Sequence, residues 1–170
     1  MTRLRWLAVV VALQVAALLG WAGYHEWIRA TAPTILLETR PVDPRDLLRG
    51  DYMILAYVIG TVPLPDEPNQ PVTPGREIWI TLRPGDRFHA VAQASWTRPE
   101  TAAGTIVVRG RIHSAAVRGD VRVDYGIEKF FVPEGMGRPE FREMVVETTV
   151  SPGHQLGIKR VLLDGRPYPP

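Results

Sequence analysis

Five charged residues crowd one short stretch of this chain: Asp43, Arg45, Asp46, Arg49 and Asp51. Carboxylates and guanidinium groups so close together could bind a ligand or carry acid–base chemistry. Two further carboxylates, Glu128 and Glu134, stand in a second compact stretch. Residue types for other chemistries are sparse. There is no cysteine, which removes a thiol nucleophile and a disulfide. A serine–lysine pair beside a membrane helix would need an early serine in reach of a lysine, but the first serine is Ser95 and the lysines are Lys129 and Lys159. Ser95, Ser114 and Ser151 lie in no nucleophile-elbow pattern. His25, His89, His113 and His154 are scattered without ligand spacing and read as surface histidines; His89 and His113 on adjacent strands are the one conceivable pair. No glycine-rich phosphate loop is present. The sequence indicates no catalytic residue, no metal and no cofactor.

The first stretch is a turn that feeds a strand. Asp43 can accept backbone hydrogen bonds two residues on, Pro44 fixes φ, and Gly50 supplies a conformation costly for other residues. Asp51 to Ile59 then reads as a strand buried on both faces, with Leu55 and Tyr57 on a shared face. In the second stretch Gly126 permits a kink, Ile127 and Phe131 offer core contacts, and Pro133-Glu134-Gly135 turns the chain. If the two stretches are neighbours, Glu128 and Glu134 can meet Arg45 or Arg49, and one surface of acidic, basic and aromatic groups results. The plain alternative is two independent turns with locally paired charges.

The elements around them read as strands. Thr34 to Thr39 is β-rich, and five prolines between Thr61 and Arg76 mark a surface loop. Glu77 to Leu82 leads into a turn at Arg83-Pro84-Gly85-Asp86. Phe88 to Trp96 alternates, with Phe88, Ala90, Ala92, Ala94 and Trp96 on one face. Thr105 to Ile112 and Val121 to Tyr125 flank a turn at Gly119-Asp120, one helical turn is possible over 138–144, and Val145 to Val150 alternates again. Ile158 to Leu163 runs into the hairpin signal Asp164-Gly165, and the final Pro-Tyr-Pro-Pro is unsuited to a strand centre. Short strands separated by turn signals predict an all-β domain, a mainly antiparallel small barrel or sandwich, over residues 34–170.

Ahead of this domain lies an uncharged run, Trp6 to Tyr24, interrupted by one strongly polar residue, Gln14. As a helix it covers roughly 28 Å, close to the hydrocarbon thickness of a bilayer. The expected organisation is a cytoplasmic tail over 1–5, a transmembrane anchor helix over 6–28 and the exported domain beyond. Arg3 and Arg5 precede the run while His25, Glu26 and Arg29 follow it, so the N-terminus is expected inside and the domain outside. A cleaved signal sequence is the rival: Ala30-Thr31-Ala32 is a small-x-small site, but Pro33 follows it and the run exceeds the usual ~7–15 apolar residues. Ala8, Ala12, Ala16 and Gly20 recur every four residues and form a candidate packing face for another helix. Gln14 points nearly opposite, a candidate second contact face.

Without Arg3 and Arg5 the twenty basic residues fall to eighteen, matching the eighteen acidic ones, so the domain is neutral and carries no nucleic-acid footprint. Gly50-Asp51-Tyr52-x-x-Leu55-x-Tyr57 resembles the motif that names the GDYXXLXY proteins, bacterial and membrane-anchored. Asp43-Pro44-Arg45 and the block from Tyr125 to Gly135 extend the resemblance over about residues 30–165. It implies an inner-membrane, single-pass protein with a periplasmic domain and a multi-pass membrane protein as partner. The expected function is a non-catalytic subunit or scaffold of a membrane complex. The alternative is an exported ligand-binding or hydrolase-like domain using the carboxylates around Asp43, Asp51, Glu128 and Glu134.

Overall fold

A computed structural model describes residues 2–40, 52–65, 72–115, 119–133 and 141–169. The chain divides into two compact units, residues 1–32 and 33–170. The first is a single helix, α1 (Thr2–Thr31). Its stretch Arg5–Ile28 is long and apolar enough to cross a membrane. Large apolar side chains project around it, from Trp6 at 71% exposure to Trp27 at 63%. The last turn is closed by Thr31, whose Oγ1 donates to the Trp27 carbonyl at 2.7 Å, and Pro33 cannot continue the helix.

The second unit is built from antiparallel strands: β1 (Thr34–Arg40), β2 (Tyr52–Ile54), β3 (Ala56–Tyr57), β4 (Thr61–Pro63), β5 (Glu77–Pro84), β6 (His89–Ser95), β7 (Ile106–Ala115), β8 (Asp120–Asp124), β9 (Lys129–Phe131), β10 (Met144–Val150), β11 (Leu156–Leu163) and β12 (Arg166–Tyr168). They form two five-stranded sheets, ordered β12-β11-β10-β1-β3 and β4-β8-β7-β5-β6, and a two-stranded ribbon, β2-β9. The fold is mostly β, with a nearly closed, barrel-like sheet. Alternation on β1 and β5 sends Ile35, Leu37, Ile78, Ile80 and Leu82 into one core with Val108, Val146 and Val161. At Asp164-Gly165 both residues have positive φ (49° and 78°), the geometry of a two-residue hairpin turn. Pro167 is tolerated because β12 is an edge strand.

Several expectations are corrected. Asp51 to Ile59 is not one strand: the described part is broken into β2, β3 and a 3-10 turn over Val58–Gly60. Its burial is one-sided, with Met53, Leu55, Tyr57 and Ile59 inside. Thr61–Pro63 belongs to a sheet, with Val62 fully buried, because Pro63 ends a strand and the missing N–H falls at its edge. The turn expected at 83–86 lies two residues later, closed by Gly85 N–H donating to the Phe88 carbonyl at 3.0 Å. On β6, Thr81 faces Gln93 and Leu82 faces Val91, so Ala92 is an extra residue. This bulge reverses the alternation: Ala94 and Trp96 are buried, Ala90 and Ala92 are exposed, and Val91 packs on the core. His89 and His113 are not on adjacent strands, since β5 separates β6 from β7. Of the helical turn considered over 138–144, residues 138–140 lie outside the described residues and Met144 opens β10.

His154 is not a plain surface histidine. It adopts φ 61° in the β10–β11 turn, its carbonyl accepts from Arg109 N–H at 2.8 Å, and its Nδ1 lies 2.8 Å from the Val107 carbonyl. The second contact requires the proton on Nδ1. With its ring 5.5 Å from Trp79, it ties the turn between two strands of one sheet to β7 of the other.

Leu37 touches the shared core and is fully buried. Leu37→Ala is expected to destabilise the domain by about 2–5 kcal/mol, read as a lowered denaturant midpoint at unchanged slope. A loss under ~0.5 kcal/mol would mean that the two sheets do not share that core.

Candidate functional site

The two stretches singled out above meet along a single register. Tyr52, Met53 and Ile54 pair with Phe131, Phe130 and Lys129, and Leu55 N–H donates to the Glu128 carbonyl at 2.8 Å. Further along the same strands, Thr61, Val62 and Pro63 pair with Arg122, Val121 and Asp120. Six residues on each strand, 55–60 and 123–128, separate the two paired stretches. The ladder is interrupted there because Tyr57 and Ala56 pair instead with Thr39 and Arg40 of β1.

Two phenols bridge the interruption. Tyr57 Oη donates to the Ile127 carbonyl at 2.8 Å, and Tyr125 Oη donates to the Ile59 carbonyl at 2.7 Å. Each strand thus lends a buried tyrosine to a carbonyl of the other. The sequence pattern places them: Met53, Leu55, Tyr57 and Ile59 point inward from one strand, Val121, Val123, Tyr125 and Ile127 from the other. Tyr125 opens the second block of the resemblance, yet the sequence analysis gives it no site role. Its signal was its period-two spacing from Val121 and Val123, since an inward tyrosine must find an acceptor for its hydroxyl.

Glu128 shapes the turn between β8 and β9. Its carboxylate oxygens accept from the N–H of Tyr125 at 2.5 Å and of Gly126 at 2.9 Å. Gly126 has φ 83°, a conformation side chains resist. Both carboxylate oxygens are therefore engaged by backbone. Asp43, Arg45, Arg49, Gly50, Asp51, Glu134 and Gly135, and with them the expected pairing of Glu128 and Glu134 with Arg45 or Arg49, lie outside the described residues.

Of the described motif residues, Leu55 and Tyr57 are core, while Tyr52 is half-buried on the outer face of the ribbon. Phe131 corrects an expectation: it is 73% exposed, and its neighbour Phe130 packs on the core instead. The ribbon is pleated, so Met53 and Phe130 face inward while Tyr52, Ile54, Lys129 and Phe131 share the outer face. Tyr52 and Phe131 rings lie 6.1 Å apart, and the Lys129 ammonium sits 5.2 Å from the Tyr52 ring centre.

Elsewhere, among the described residues, lie two open clefts of about 500 Å³ each. One runs over Arg109, Arg111, His113 and Asp124, where His113 pairs with Asp124 at 2.8 Å and Arg109 with Glu77 at 3.3 Å on an exposed sheet face. The other lies beside Glu38, Arg40, Arg87 and His89. No cluster of histidine and acidic residues suited to a metal occurs among the described residues. In the first unit Ala8, Ala12 and Ala16 are exposed along α1, Gly20 has open space where a Cβ would stand, and Gln14 is exposed as well.

Burial, reinforced by the nearby Glu128 carboxylate, pushes both Tyr57 and Tyr125 phenols well above the ordinary tyrosine range. The folded chain therefore keeps two protons that the unfolded chain releases near pH ~10. Stability from this source is complete below that pH. It falls as pH rises further, by about 1.4 kcal/mol per pH unit for each tyrosine. In an alkaline titration these two phenols should ionise only as the domain unfolds, and Tyr57→Phe with Tyr125→Phe should flatten the loss. Ionisation of both near pH ~10 in the folded domain would contradict the buried bonds.

No curated protein and no solved structure matches the chain. The sequence model of one family matches residues 14–166, spanning the C-terminal part of α1, the motif strand and its partner. On that match the chain belongs to the GDYXXLXY protein family.

Proposed function

We propose that the chain is a single-pass, non-catalytic subunit of a bacterial inner-membrane complex. Its anchor helix packs against a multi-pass membrane protein, and its β domain stands on the periplasmic side. The observation that carries this reading is α1 itself: an apolar helix over Arg5–Ile28 with its large side chains exposed all round. A surface of that kind is stable in lipid or against another helix and costly in water.

Orientation follows from charge. Arg3 and Arg5 precede the span, and Glu26 and Arg29 balance one another after it, which favours a cytoplasmic N-terminus. Trp6 at one end and Trp21, Tyr24 and Trp27 at the other suit the two headgroup layers. The row Ala8, Ala12, Ala16 and Gly20 lets a partner backbone approach, while Gln14 offers a polar group on the opposite side. On the domain, the motif residues Leu55, Tyr57 and Glu128 are spent on architecture, which supports a scaffold rather than a reaction.

Purification of the tagged full chain from detergent-solubilised membranes tests this. A multi-pass protein should co-purify in stoichiometric amount. Ala12→Leu with Ala16→Leu should reduce its recovery by about tenfold, and Gln14→Leu shows whether the opposite face contributes. A chain that purifies alone, or a mature product that starts after Ala32 and stays in the soluble periplasmic fraction, would refute the proposal.

A further inference from the structure

One peptide bond follows a processing motif and stands where helix gives way to sheet. Ala30-Thr31-Ala32 has the small-x-small pattern that exported chains present ahead of a signal-sequence cut, and it begins two residues after the apolar stretch Arg5–Ile28. The bond such a cut would break is Ala32–Pro33, where the chain also divides into its two compact units. A protease takes the residues ahead of a cut as an extended strand, pairing their backbone groups with its own. Here those residues are not extended. Ala30 and Thr31 belong to α1, Thr31 Oγ1 donates to the Trp27 carbonyl at 2.7 Å, and Ala32 N–H donates to the Ile28 carbonyl at 2.8 Å. On the far side of the bond, the Pro33 carbonyl accepts from Val150 N–H of β10 at 3.1 Å. No slack chain lies between the last helical bond and the first bond to the sheet. Pro33 adds a covalent obstacle: its nitrogen is the leaving atom, carries no hydrogen and is crowded by its own ring.

We propose that Ala30-Thr31-Ala32 is a processing site held closed by the helical turn and by Pro33, and that these two locks keep the anchor on the domain. The inference rests on the single-pass reading above and names the residues that enforce it. The turn is made of local backbone bonds and the proline is covalent, so both act during export, before the β domain folds. The bond from Val150 adds to them once the sheet has formed. The reaction withheld is peptide hydrolysis. The C–N bond between Ala32 and residue 33 breaks, the hydroxyl of water joins the Ala32 carbonyl carbon, and the remaining proton goes to the nitrogen.

The test expresses the full chain with a C-terminal tag in a bacterium that has its own signal peptidase, and reads the N-terminus of the recovered protein by sequencing. The unaltered chain should keep residues 1–32. Pro33→Ala removes the covalent obstacle but lets the helix run on, so Thr31→Gly accompanies it to loosen the turn. Together they should raise the share of chains that start at residue 33 by at least ~tenfold, while Thr31→Gly alone leaves the chain intact. Adding Ala32→Leu to the pair should abolish that product, which separates cleavage at this site from general degradation. If the paired variant keeps residues 1–32 or is cut elsewhere, the inference is overturned and the subunit reading stands. If the unaltered chain already starts at residue 33, both fall. Co-purification is scored separately, so an intact chain that purifies alone counts against the subunit reading and not against the locks.

Discussion

The structure depends on one short segment serving three sheets at once. Between Tyr52 and Pro63 the chain gives β2 to the ribbon, β3 to the sheet of β1 and β10, and β4 to the sheet of β7 and β8. A strand cannot hydrogen-bond to two neighbours on the same edge. Where Ala56 and Tyr57 turn to β1, the facing strand loses its ladder, and the carbonyls of Ile59 and Ile127 are left inside an apolar core. The hydroxyls of Tyr125 and Tyr57 satisfy them. Each such bond is worth about 0.5–1.5 kcal/mol net, but an abandoned buried carbonyl costs about 1–3 kcal/mol. The second figure decides the matter: the exchange chiefly prevents a penalty that would otherwise open the seam between the sheets.

This gives the motif a physical meaning. Leu55 and Tyr57 hold the interior, and Glu128 fixes the turn that presents Tyr125. Of Tyr52, Leu55 and Tyr57, only Tyr52 looks outward, where it meets Phe131 and Lys129. Interior and exterior are thus separated by the pleat of a three-residue strand. The same strand that closes the core displays Tyr52 beside the exposed Phe131.

Much of the fold could be read from sequence wherever local pattern and tertiary pairing agree. The Asp164-Gly165 hairpin and the strands around Ile35, Ile78 and Val146 follow from residue type alone. The failures share a cause, which is information held in the partner strand. A bulge at Ala92 inverts a clean alternation because Leu82 faces Val91. Val62 becomes core in a proline-rich stretch because Val121 pairs with it. Phe130 rather than Phe131 turns inward because Met53 sets the register. At the candidate site, the residue types of the two stretches were visible, whereas the exchange of hydroxyls was not: it arises from where two distant strands stop pairing.

The most direct measurement of this account is a double-mutant cycle on Tyr57→Phe and Tyr125→Phe, followed by denaturant unfolding of the full chain in detergent. Each substitution keeps the ring and removes the hydroxyl. The account predicts a loss of about 1–3 kcal/mol for each and a coupling of at least ~0.5 kcal/mol, because both bonds close one gap. Two losses below ~0.5 kcal/mol that simply add would contradict it, and the seam would have to be held by packing alone.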